Sequence, residues 1–256
     1  NPFTPETLAT WNGKLATIIV ANTNDSGANS LRNAFQLATN GDTITFDLGL
    51  SGQTIGLGSG QINWVVNDLI LDGDLDNNLT PDVTVSGSTI NQIFNITAAN
   101  ATINGVRLIN GNALTGNGGA IQNTGSLTIS NSVLNSNTAA KGGALANSGT
   151  VTLTNTTIAN NTATSFGGGM VNLGTGTITM TGSTLSNNQA NGGGGLENYG
   201  IATITNSTIS GNSAITSDGG GIWNGTGAGA ILTINNSTIA NNSAATSVSH
   251  FCNEHK

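Results

Sequence analysis

Apolar and polar positions alternate along most of this chain in short runs, and the runs return at a larger fixed interval. Residues 127–129, 151–153, 178–180, 202–204 and 232–234 read LTI, VTL, ITM, ATI and LTI, the period of two expected of a half-buried strand. A second series of runs starts at Ile121, Leu145, Met170, Leu196 and Ile222, in steps of 24, 25, 26 and 26 residues. A third ends in Leu134, Ile158, Leu185, Ile209 and Ile239. Repeats of this length predict a solenoid. Three short strands per unit, joined by turns, describe one rung of a parallel β-helix, with each strand bonded to its equivalent in the next rung.

Polar residues at the turns share the register. Asn123, Asn147, Asn172, Asn198 and Asn224 follow one strand at a constant offset, and Asn137, Asn161, Asn188, Asn212 and Asn242 close another. Stacked one rung apart, each side-chain amide can donate to one neighbour and accept from the other, which satisfies polar groups turned inward. Gly118, Gly142, Gly167, Gly193 and Gly219 stand where the corners demand left-handed backbone, so they read as structural and not as a phosphate cradle.

The front of the chain breaks the pattern. Leu31, Ala34, Phe35 and Ala38 mark one face of a short helix, with Asn29 or Ser30 as its N-cap and Asn40-Gly41 as its end. Such a helix can cover the open first rung and its unpaired strand edge. The organisation read from the chain is an N-terminal segment and capping helix at 1–42, irregular early rungs at 43–100, regular repeats at 101–245 and a tail at 246–256.

The motifs GGAI (118–121) and GGAL (142–145), paired with LNSN (134–137), IANN (158–161), LSNN (185–188), ISGN (209–212) and IANN (239–242), resemble the paired repeats of polymorphic outer-membrane proteins. The likeness spans roughly residues 100–245. It departs from the family in having Leu or Ile where the second motif often has Phe, and GGG for GGA in the last three units. The segment TNDSGANSLRNAFQLATNGDTITF (23–46) is similar to the opening of bacterial extracellular β-helix proteins. These resemblances, together with the wider pectate-lyase-like group, imply a right-handed β-helix of three-strand rungs, secreted by a bacterium or held at its surface, with an adhesive role.

Composition narrows the partners. Only 7% of the residues are charged, and the net charge is -7 with five Lys and Arg. No basic stripe exists to neutralise phosphates, so nucleic acid is excluded as a partner. A single Cys252 forms no internal disulfide, and no apolar run reaches the length of a membrane helix. The opening NPFTPETLATW lacks Met and a hydrophobic leader, as expected of a processed or excised chain.

Candidate chemistry is sparse. In DLDNNLTPD (74–82) the oxygens of Asp74, Asp76, Asn78 and Asp82 resemble a compact calcium loop, calcium being a hard cation that takes clustered oxygens. Leu79 stands where that pattern has Gly, and a solvated acidic turn is the alternative. Between residues 101 and 249 the charged side chains are Arg107, Lys141, Glu197 and Asp218. Counted along an extended chain, Glu197 and Asp218 fall too far apart for a carboxylate pair, which predicts a non-catalytic protein. HFCNEH (250–255) offers three possible metal ligands on a tail and reads as no site. Glu197, Tyr199 and Trp223 suggest a carbohydrate- or partner-binding patch on the outward side, with Trp223 packed under a loop or against a neighbouring subunit as the equal alternative. Thr128, Thr152, Thr179, Thr203 and Thr233 form an outward column, similar to ice-binding solenoids, although unit steps of 24 to 30 residues suggest insertions along it. With no amphipathic helix after Ile239, the last rung exposes Ile234 and Ile239 for end-to-end assembly into filaments; a tail folded over the rung through Val248 and Phe251, or a longer chain that continues the solenoid, is the alternative. The sequence therefore favours a non-catalytic extracellular structural or adhesive protein. A carbohydrate-binding or carbohydrate-cleaving β-helix is the alternative, and an ice-binding surface the lesser one.

Overall fold

The computed structural model describes residues 15–225, 229–246, 248 and 250–253. Four parallel sheets run along a right-handed β-helix. The first, sheet A, has nine strands; sheets B and C have eight each, and sheet D has six. One regular turn passes through sheet C at Ile121–Asn123, sheet A at Ser126–Ser130, sheet B at Val133–Asn135 and sheet D at Thr138–Lys141. The sequence reading has three strands per turn, and the fourth is the addition. Each of the four middle strands of sheet D turns one small residue inward, Ala139, Ala163, Ala190 and Ala214 in successive turns, so the sheet carries almost no hydrophobic signal.

Like side chains stack along the interior. Leu127, Val151, Ile178 and Ala202 form one buried row of sheet A, and Ile129, Leu153, Met180 and Ile204 the other. The threonine column stays in register from Thr128 through Thr152, Thr179 and Thr203 to Thr233. The unequal unit lengths are absorbed in the turns between sheets C and A, as at residues 173–176, and between sheets D and C, as at 215–221, because a slip inside a strand of sheet A would exchange its buried and exposed faces.

Two asparagine ladders close the corners. Asn123, Asn147, Asn172 and Asn198 each donate Nδ2 to Oδ1 of the next member at 2.7–2.9 Å, ending on Asn224. Asn137, Asn161, Asn188 and Asn212 do the same at 2.9–3.0 Å, ending on Asn242. The residue before each member of the second ladder, Ser136, Asn160, Asn187, Gly211 and Asn241, takes the left-handed backbone. Adjacent residues thus divide the turn geometry and the hydrogen bonding between them. A third ladder, of hydroxyls, was not anticipated: backbone N–H groups of Thr156, Ser183 and Ser207 donate to Oγ of Ser183, Ser207 and Ser237.

The N-terminal end is capped as expected. Ser30 caps helix Leu31–Leu37, accepting from the N–H of Asn33, and Leu31, Ala34 and Phe35 are buried. Phe35 meets Trp64 and Phe94 with ring centroids 4.9 and 5.7 Å apart. Arg32 fastens the helix, pairing with Asp25 at 2.8 Å and donating to the carbonyls of Gly60 and Gln61. Partial burial pushes the Asp25 carboxyl up, and hydrogen bonds from Ser59 and Arg32 outweigh it and hold it below the usual carboxylate range.

At the other end, strand Phe251–Asn253 extends sheet C beside Ile222–Asn224, whereas sheets A, B and D end at Ile231–Asn235, Thr238–Ala240 and Ser243–Ala244. Ile234 and Ile239 are partly buried, while their equivalents one turn back, Ile204 and Ile209, are fully so. Cys252 is buried in the row that follows Trp223; His255 of the HFCNEH motif lies outside the described residues. No described helix is long and apolar enough to cross a membrane.

Candidate functional site

The outward row of sheet C runs through Gln122, Ala146, Val171, Glu197 and Trp223. Strand alternation places these side chains toward solvent, yet Glu197 is 2% exposed and Val171 fully buried. The cover is the turn between sheets D and C. Gly142, Gly167, Gly193 and Gly219 sit there at φ between +57° and +70°, and their missing side chains make room for the row. A Cβ on Gly193 would come within 2.8 Å of Glu197 Cβ, and one on Gly219 within 2.7 Å of Trp223 Cβ. The repeated glycine therefore serves two ends, left-handed backbone and clearance for the side chain beneath it.

Where neighbouring turns put Ala146 and Val171 under this roof, one turn puts a carboxyl group. Burying an ionisable group without need disfavours folding, so Glu197 is not explained by packing. The hydroxyl of Tyr199 donates to its Oε1, and the Tyr199 ring meets Trp223 edge-on at 5.2 Å. Phe166, Gly192 and Ser217 complete a cleft of about 140 Å³ around Glu197, Tyr199 and Trp223. Lys141, one turn before Phe166 and paired with it in register, lies 5.9 Å over that ring. Sequence reasoning named Glu197, Tyr199 and Trp223 and missed Phe166 and Ser217. The omissions belong to the sheet D side, whose strands the periodicity does not show.

Asp218 sits closer to this region than an extended chain would place it. The N–H of Gly193, the residue over Glu197, donates to the carbonyl of Asp218, so the four residues between Asp218 and Trp223 fold into a corner. The carboxylate of Asp218 accepts from the Thr246 hydroxyl and the N–H of Val248, tying down the following turn.

The acidic loop lies elsewhere, between Ile70–Asp72 and Val83–Ser86. Carboxylate oxygens of Asp74, Asp76 and Asp82 come within 4.8 Å of one another. Asp74 is buried and accepts from the N–H groups of Asn78 and Leu79; Asp82 accepts from that of Leu75. Leu79, the expected obstacle, adopts φ +64°, the left-handed conformation of the glycine it replaces, with its side chain exposed. That conformation costs a non-glycine residue about 1–2 kcal/mol. The structure brings the three aspartates together. The oxygen of Asn78 is taken up by the N–H and hydroxyl of Thr80. These clustered hard oxygens could hold a metal ion.

No known protein family and no curated protein matches the chain. A solved structure of the pectate lyase Pel9A is similar over 96% of this chain and 80% of its own, with a TM-score of 0.53 and 17% sequence identity. That likeness shows the fold. It also corrects the expectation of a non-catalytic protein, since a β-helix of the same form is a lyase. The separation of Glu197 from Asp218 along an extended chain, on which that expectation stood, does not describe the folded corner.

Proposed function

We propose that the chain cleaves a sparsely acidic polysaccharide at the Phe166, Glu197, Tyr199 and Trp223 cleft. The observation that carries this reading is Glu197 itself, a buried carboxyl group bonded to a phenol hydroxyl between aromatic rings, where the two preceding turns of the row place Ala146 and Val171. Aromatic faces beside polar groups suit sugar rings. Hydrolysis uses two carboxyl groups across the bond, about 5–9.5 Å apart, whereas elimination next to a uronate needs a base and a cation. In this reading Glu197 is the base, and Lys141, one turn before Phe166 and held against its ring, is the cation. In the step proposed, Glu197 takes the proton on the carbon next to the uronate carboxyl group, a C=C bond forms, and the glycosidic C–O bond breaks. The leaving oxygen takes a proton, for which the Tyr199 hydroxyl is the nearest donor. A net charge of -7 opposes densely anionic polymers, so one lysine fits isolated acidic units.

The test is incubation with pectate, a mixed uronate and neutral glycan, and a neutral glycan, with unsaturated and reducing ends followed separately. Unsaturated ends from the mixed glycan are expected. Their absence from every uronate-containing substrate, or reducing ends alone, would exclude elimination.

The acidic loop has a separate role in this reading, as a structural cation site. Excess calcium is expected to raise the melting temperature over that in chelator by a few degrees, because a ligand bound only by the folded state stabilises it by about 2.7 kcal/mol at a hundred times its Kd. Asp82→Asn is expected to abolish the shift. Coincident melting curves for the original protein would make the loop a solvated turn.

A further inference from the structure

A second hollow, of about 310 Å³, lies on the same side of the β-helix. Sheet D begins at Asn112–Asn117, and no strand precedes it there. One turn earlier the chain passes from Val83–Ser86 of sheet B to Phe94–Ile96 of sheet C through turns alone. The missing strand leaves a space below the sheet edge.

Six amides line it: Gln61, Asn91, Gln92, Asn112, Asn117 and Gln122. No charged side chain takes part. Gln92 is 9% exposed and directs its Nε2 to the carbonyls of Asn117 and Gly118 at 2.8 and 2.5 Å. Its Oε1 is left as an acceptor. Asn91 likewise turns its Nδ2 to the Leu57 carbonyl at 2.9 Å, and its Oδ1 is the remaining group. Among the described residues no hydrogen bond engages the side-chain amides of Asn117 and Gln122, which offer donors and acceptors together. Ile90, 66% exposed, supplies an apolar wall. Hydroxyl groups, which donate and accept, match such a lining, and an ionic group finds no partner in it.

Gln122 and Glu197 occupy the same row of sheet C, three turns apart. At the strand spacing of about 4.8 Å the two sites are separated by roughly 14 Å along the axis. We propose that the amide hollow binds a neutral segment of a glycan. Its place on the path of the chain cleaved at Glu197 rests on the function proposed above; its binding of neutral sugar does not.

The experiment titrates the whole protein, by calorimetry, with neutral hexasaccharides of glucose, mannose, galactose and xylose. At least one is expected to bind with a Kd on the order of 1 mM or tighter. The double substitution Asn117→Ala, Gln122→Ala is expected to weaken that binding by about tenfold or more, with the melting curve retained, and Glu197→Gln to leave it unchanged. No binding by any of the four, or binding indifferent to the double substitution, would overturn the proposal. Binding that depends on Asn117 and Gln122 in a protein that cleaves nothing would overturn the cleavage reading alone.

Discussion

Glu197→Gln is expected to abolish most cleavage of a uronate-containing glycan while leaving the fold intact. Glutamine keeps the shape and still accepts a hydrogen bond from Tyr199, so the roof at Gly193 and the rings of Tyr199 and Trp223 have no reason to move. It cannot take a proton from carbon. A positioned acid or base contributes about 10²–10⁴-fold, so turnover should fall by that factor, about 3–5 kcal/mol of barrier. The loss should appear in kcat with little change in KM, since the group acts in the transition state. Tyr199→Phe should give a smaller loss, because a solvent proton can replace a donor to the leaving oxygen more readily than solvent can replace a base at carbon. Product formation at the original rate in Glu197→Gln would remove Glu197 from the chemistry.

The largest loss of stability is expected from the middle of an asparagine ladder. Asn172 is fully buried; its Oδ1 accepts from Asn147, and its Nδ2 donates to Asn198 Oδ1 and to the carbonyls of Gly176 and Ile201 at 2.8, 2.9 and 3.1 Å. Asn172→Leu keeps the branching of the side chain, is somewhat larger, and removes every one of these bonds. Each buried polar group left without a partner costs about 1–3 kcal/mol, so the substitution should destabilise by about 4 kcal/mol. For a chain of this size that corresponds to a fall of roughly 10–15 °C in melting temperature. Thr203→Val, on the outer face of sheet A, serves as the control and should stay within about 0.5 kcal/mol. A leucine variant that melts with the original protein would show that the ladder is a consequence of stacking and not a source of it.

The ladders were legible in the sequence because they are periodic. A column of identical residues at one offset in a solenoid has one place to go, and Asn123 to Asn224 and Asn137 to Asn242 went there. The helix near Leu31 was legible for a similar reason, its apolar face having only the open first rung to cover. Sheet D was not, because a strand that buries one alanine per turn leaves no hydrophobic pattern.

The candidate site divides along the same line. Glu197, Tyr199 and Trp223 stood out because they interrupt a repeat of small and aliphatic residues. Sequence alone determined the parallel β-helix, its inward rows and its laddered corners, since each follows from local alternation multiplied by a repeat. Only the tertiary structure decided that the outward row of sheet C is roofed by glycine turns, that Phe166 and Ser217 meet Glu197's cleft, and that a missing strand opens the amide hollow. Those features depend on how a turn folds back over its neighbour. The backbone path of a glycine-rich corner is set by contacts between rungs, which the order of residues along one rung does not encode.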